Sequence, residues 1–243
     1  MPVTKIQFRP GLVRDTTSYT NEGGWFYSDK IRFRSGSPEK IGGWTRITET
    51  AYLGTCTALT AWTSLGGVAF TAAGTNIKYY IEYGSAVNDI TPIRKTTNPL
   101  ANNPIATTIS TSTLTITDTA HGAYMGDYVT ISGSSGTINN IPASEINAEH
   151  EITLVIDANT YTVTVTSTAN GTGAGGGAAV VAAYQINVGL ATYVAGTGWG
   201  AGTWGEPAWG GSTSPSITTQ LRLWSQSTFG EDLVFCARGG SIY

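Results

Sequence analysis

Apolar and charged residues alternate strictly over Lys30-Ile31-Arg32-Phe33-Arg34. This alternation places Ile31 and Phe33 on one face and Lys30, Arg32 and Arg34 on the other, which predicts a half-buried β-strand with a cationic outer row. Ser35-Gly36-Ser37-Pro38 supplies turn residues, and Glu39-Lys40-Ile41 begins the return. The triplets Gly23-Gly24-Trp25 and Gly42-Gly43-Trp44 bracket this block. Short apolar runs follow at Thr57–Trp62, Val68–Ala72 and Ile77–Tyr83, punctuated by Leu65-Gly66-Gly67, Gly74-Thr75-Asn76 and Gly84-Ser85. Their spacing predicts a meander of antiparallel strands, of the size of propeller blades or a sandwich sheet.

The texture changes after Asn98-Pro99 and Asn102-Asn103-Pro104, which read as a linker. Strands are predicted near Thr113–Thr117, Tyr128–Ser132, His150–Ile156, Thr160–Thr166 and Ala179–Ile186. Asp157-Ala158-Asn159 joins two of them as a hairpin turn. Ala143–Ala148 suggests one helical turn with Ser144 as its cap, and Asn170–Gly177 a mobile glycine-rich loop. Residues 188–243 return to the first texture. Trp199, Trp204 and Trp209 recur every five residues among glycines, a period that fits neither helix nor strand. They predict glycine turns that drop tryptophans into a shared apolar surface. Gln220–Trp224 and Leu233–Ala237 are further predicted strands. The expected fold is all-β: part of a β-propeller-like meander with an inserted small β-sandwich- or barrel-like module. The segments are 1–97 (first propeller-like part), 98–187 (linker and inserted module) and 188–243 (return to the propeller-like part, incomplete at its C-terminus).

Composition sharpens this picture. Charged residues make up 12% of the 243, about half the usual share of roughly 25%, so much of the surface is expected to be covered by other chains. Eight of the 13 basic residues fall within residues 1–46, and none lies between Lys95 and Arg222, where seven acids occur. The N-terminal part suits an acidic partner, and the middle cannot hold nucleic acid by charge. Cys56 and Cys236 match no metal or redox spacing and are expected to be small buried hydrophobes. No signal-like or membrane-spanning run is evident.

Few residues of the chain stand at spacings that carry chemistry. Gly171, Gly173 and Gly176 fit a dinucleotide-binding pattern, but a strand and not a helix is predicted after them. His121 and His150 lack neighbouring ligands and point to structural contacts. Glu149 and Glu151 share one strand face, where a solvated face is expected in place of a catalytic pair across a cleft. No catalytic, cofactor or metal site is expected, and the chain is not expected to be an enzyme. The row Lys30, Arg32 and Arg34 has two readings: contact with DNA or an acidic neighbour, and a solvated or inter-subunit salt-bridged face. Trp25 and Trp44 are expected to serve packing. Trp199, Trp204 and Trp209 suit core or interface filling better than sugar stacking.

Several segments together resemble the tail nozzle proteins of short-tailed bacteriophages, also described as tail tubular, tail accessory or stabilisation proteins. They are Ile6-Gln7-Phe8-Arg9-Pro10-Gly11, Tyr19-Thr20-Asn21-Glu22-Gly23-Gly24-Trp25, Asp29 to Arg34, and Pro38 to Trp44. Gly198 to Gly210, Leu221-Arg222-Leu223-Trp224 and Phe229 to Leu233 look similar too. The resemblance implies a virion structural subunit, made in the host cytoplasm, in a six-fold homo-oligomeric ring below the portal and adaptor. Its implied partners are the adaptor, tail fibre or needle proteins, and passing double-stranded DNA held without sequence preference. Family members are usually much longer, which leaves the propeller unclosed here. The alternative is a carbohydrate- or receptor-binding tail component using the Trp199, Trp204 and Trp209 surface.

Overall fold

A computed structural model describes residues 9–43, 45–46, 48–191 and 221–243. The chain divides into two compact units, Met1–Ile47 and Thr48–Tyr243. Within the described residues the fold is all-β, and the one helix, α1 (Ala143–Ile146), is a single turn.

In the first unit, β1 (Ile31–Arg34) and β2 (Ser37–Lys40) form an antiparallel hairpin with Ile31 opposite Lys40 and Arg34 opposite Ser37. The turn is Ser35-Gly36 alone, with φ of 50° and 81°. Positive φ at both central residues is the geometry whose twist matches that of the flanking strands. Ser37 and Pro38, expected in the turn, therefore begin the return strand. Pro38 is tolerated there because β2 has only one strand neighbour.

The second unit opens with a meander of β3 (Cys56–Thr63), β4 (Ala69–Thr75), β5 (Tyr79–Tyr83) and β6 (Ala86–Asp89), paired in chain order. Cys56 lies where the β3–β4 register shifts, and its side chain is exposed; Cys236 is half-buried. Neither is the buried hydrophobe expected.

An eight-stranded sheet follows. Its strands are β7 (Ile93–Thr96), β8 (Ile105–Thr107), β9 (Thr113–Thr117), β10 (Tyr128–Ser132), β11 (Glu149–Asp157), β12 (Thr160–Thr164), β13 (Gly173–Gly175) and β14 (Val181–Gln185). They run in the order β13-β8-β9-β12-β11-β10-β14-β7. Leu114 and Ile116 on β9, Val129 and Ile131 on β10, and Ile152 on β11 alternate inward into one core. Tyr161 on β12 and Tyr184 on β14 are three strand spacings apart, roughly 14 Å in a flat sheet, yet their ring centroids are 6.0 Å apart. The sheet therefore curls over its core. Its terminal strands β13 and β7 do not pair, so it is not a closed barrel.

Three local expectations are corrected. The glycine-rich stretch contains β13, an edge strand paired with β8. Glycine is needed there, because a Cβ on Gly175 would come within 2.9 Å of Ile138. The helical turn is preceded by Pro142 and has no side-chain cap, so Ser144 does not cap it. The strand expected at Gln220–Trp224, whose first residue lies outside the described residues, is displaced along the chain: β15 runs over Trp224–Phe229. It pairs with β16 (Asp232–Ala237).

The β15–β16 hairpin packs on the meander. Trp224, Phe235 and Ala237 form one core with Ala72 and Tyr79. The Tyr79 and Phe235 rings stack at 4.0 Å with 5° between planes.

Candidate functional site

The hairpin of the first unit carries the predicted cationic row. Ile31 and Phe33 are half-buried, and Arg32 and Arg34 are exposed. Lys30 precedes the strand with φ 56°, so the regular row is Arg32 and Arg34 with Lys30 at its foot. Arg32 Nε donates to Glu39 Oε1 at 2.8 Å from the paired position on β2, so one member of the row already has an anionic partner. The Trp25 ring meets Phe33 edge-on at 6.0 Å. Trp44, Trp199, Trp204 and Trp209 lie outside the described residues.

The second unit contains two buried polar clusters. Lys78, 2% exposed, extends its ammonium to Asp89 Oδ2 and Glu149 Oε2, each at 2.5 Å. The ammonium also lies 4.6 Å from the Tyr128 ring centre. Burial alone lowers the Lys78 pKa, but hydrogen bonds and charge from the two carboxylates outweigh it and raise the value overall. Glu149 accepts from Gln185 as well. It is thus one member of an ionic clasp between meander and module.

In the second cluster, Tyr184 donates to Asp118 Oδ2 at 2.6 Å and its hydroxyl lies 3.1 Å from that of Tyr161. Burial pushes both phenols well above their ordinary value. His121 packs against both rings. Its Nδ1 accepts from the Ala123 amide, which leaves Nε2 to donate to the Asp157 carbonyl. His150 Nε2 bonds the Ile146 carbonyl. Both imidazoles are therefore engaged with the backbone. Among the described residues, no group of three His, Cys, Asp or Glu side chains is placed to hold a metal ion, and no helix is long and apolar enough to cross a membrane.

A third feature was invisible in the sequence. A cavity of about 160 Å³ opens between the module and the C-terminal hairpin, lined by Arg94, Arg222 and Arg238. Arg94 comes from β7, Arg222 from the approach to β15, and Arg238 from the end of β16. Arg94 Nη2 donates to the His121 carbonyl at 3.1 Å, and its guanidinium lies 5.1 Å from the Tyr184 ring centre. Arg222 donates to the Asn187 carbonyl and packs 5.9 Å from the Trp224 ring. Burial lowers the Arg222 pKa, with Asp127 and Tyr243 opposing. No spacing rule links arginines so far apart in sequence; the fold brings them together.

No family model matches the chain, and no curated protein does. Among solved structures it is similar to "Phage phi92 endosialidase", with TM-score 0.33 and 18% sequence identity over 62% of this chain and 21% of that one. The chain thus spans about a fifth of that protein's length. A likeness this shallow carries no argument about activity.

Proposed function

We propose that the chain is a non-catalytic structural subunit of the tail of a short-tailed bacteriophage, acting as a nozzle component. Six copies form a ring below the portal and adaptor, and DNA leaves through it. The observation that carries this reading is the seating of the β15–β16 hairpin on the four-stranded meander. A four-stranded antiparallel meander is the size of one propeller blade, and a second antiparallel pair packed on its face fits a neighbouring blade. The motifs at both ends of the chain, which resemble nozzle proteins, support the same architecture.

The surface agrees with a life in an assembly. Leu59, Leu65, Phe229 and Ile242 are exposed large apolar residues at 66%, 92%, 80% and 75%, on a chain whose charged content is only 12%. Copies of the chain, the adaptor, and fibre or needle proteins are the surfaces that would cover them. Lys30, Arg32 and Arg34 then serve a subunit interface or the lumen. Weak, sequence-independent phosphate contacts suit a conduit, since tight binding would hold the DNA back.

The test is reconstitution of the full chain with the adaptor ring, followed by mass photometry and electron microscopy. Six-fold density attached to the adaptor is the expected result. A chain that stays monomeric at micromolar concentration beside intact adaptor rings overturns the reading.

A further inference from the structure

Only five basic residues follow Arg46 in the sequence: Lys78, Arg94, Lys95, Arg222 and Arg238. Three of the five line the same small cavity, and no Asp or Glu is among the described residues that line it. None of the three forms an ion pair with a carboxylate among the described residues. Like charges held together at a half-buried site repel, and at Arg222 the charge of Asp127 offsets the cost of burial only in part. The arrival of an anion relieves that repulsion.

We propose that this cavity is a binding site for a small organic carboxylate. The charge of the lining selects an anion. A guanidinium offers a planar fork of donors that matches a carboxylate's two oxygens. The rest of the lining decides between a bare ion and an organic one. Ile186, Leu221, Ala237 and Tyr243 supply apolar wall, which rewards a ligand with a hydrocarbon or ring body and gives nothing to a fully hydrated ion. The volume sets the size. About 160 Å³ is below the roughly 300–1,000 Å³ of sites for drug-sized ligands, so the guest is a single compact group. Arg222 is oriented by the Asn187 carbonyl and by the Trp224 ring, and Arg94 by the His121 carbonyl. Two of the three guanidinium groups are thus held in place before the ligand arrives, which lowers the ordering cost of binding. Arg238 is exposed at the rim and completes the site.

The site requires neither a ring nor a tail, so it stands or falls separately from the nozzle reading. Its test uses the full chain with benzoate as probe. Binding is followed by the Trp224 indole N–H resonance and by calorimetry at fixed ionic strength. Benzyl alcohol serves as the neutral analogue and inorganic phosphate as the bare oxyanion. Saturable benzoate binding is expected, with benzyl alcohol and phosphate each at least about tenfold weaker. Arg238→Gln is expected to weaken benzoate about tenfold without changing the melting temperature, because the side chain is exposed. Arg94→Gln weakens it further if that variant folds. Equal binding of benzoate and benzyl alcohol overturns the proposal, as does phosphate binding at least as tightly. Unchanged benzoate affinity in folded Arg238→Gln overturns it as well.

Discussion

The indole of Trp224 closes directly over Gly74: a Cβ on Gly74 would lie 2.5 Å from Trp224 Cδ1 and 2.7 Å from Cγ. Trp224 Nε1 meanwhile donates to the Thr75 carbonyl at 2.8 Å. The missing side chain in β4 is therefore the socket for the ring that docks the C-terminal hairpin. Gly74→Ala is expected to cost about 1–3 kcal/mol by overpacking, and Trp224→Ala about 3–5 kcal/mol by cavity formation. Urea titration gives both values. Hydrogen exchange in Trp224→Ala should show β15 and β16 losing protection before the eight-stranded sheet does.

Lys78 binds Asp89 and Glu149, whose side chains are 31% and 35% exposed. Removing one member of a wholly buried ionic group costs roughly 3–5 kcal/mol. With the carboxylates partly solvated, Lys78→Met is expected to cost about 2–3 kcal/mol. Adding Asp89→Asn and Glu149→Gln to it should recover part of the loss, because two uncompensated charges disappear. The pH dependence has a definite sign. Burial raises the Asp89 pKa, but hydrogen bonds from Lys78 and Thr91 and the Lys78 charge bring it below its ordinary 3.8. Its stabilisation is therefore complete above 3.8 and fades as pH falls through the lower folded value. Acid titration of Lys78→Met should lack the Lys78 share of this component and keep the share from the Thr91 hydrogen bonds.

Strand positions were legible wherever side chains alternate. β9 and β10 fall on their predicted bounds, because Thr113–Thr117 and Tyr128–Ser132 place apolar residues at every second position. β13 escaped, because Gly173-Ala174-Gly175 has no side-chain periodicity to detect and is defined by backbone pairing with β8. β15 was misplaced, because Ser225, Gln226, Ser227 and Thr228 are polar on both faces and its register comes from β16. The outward-facing Arg32 and Arg34 were legible for the same reason as β9. The arginine cavity was not, because Arg94, Arg222 and Arg238 meet only after β7 and the C-terminal hairpin have docked on opposite sides of the gap.

The buried tyrosines predict an alkaline limit. Burial raises the Tyr184 and Tyr161 pKa values, and raises that of Tyr79 to about 12. A folded value above the unfolded one means that the stabilisation is complete below the ordinary 10.0 and is lost as pH rises from there towards the folded value. Absorbance near 295 nm should therefore show these phenols ionising together with unfolding and not before it. Tyr184→Phe removes the donor to the buried Asp118 and is expected to cost about 1–3 kcal/mol, measurable at neutral pH.

The cationic hairpin separates stability from assembly. The Arg32–Glu39 pair is exposed, with side chains at 55% and 37%, and exposed pairs contribute about 0–1 kcal/mol. Arg32→Ala and Arg34→Ala are therefore expected to leave the melting temperature nearly unchanged. If the row serves a subunit interface or the lumen, replacing Lys30, Arg32 and Arg34 together with Glu should act elsewhere. Like charge at an interface suppresses association, so the triple variant should stay folded by circular dichroism yet fail to join adaptor rings at low salt. Raising the salt should narrow the difference from the natural chain, since screening shortens the reach of exposed charges to about 8 Å at physiological ionic strength. A triple variant that assembles as well as the natural chain at every salt concentration would assign these three residues to a solvated face.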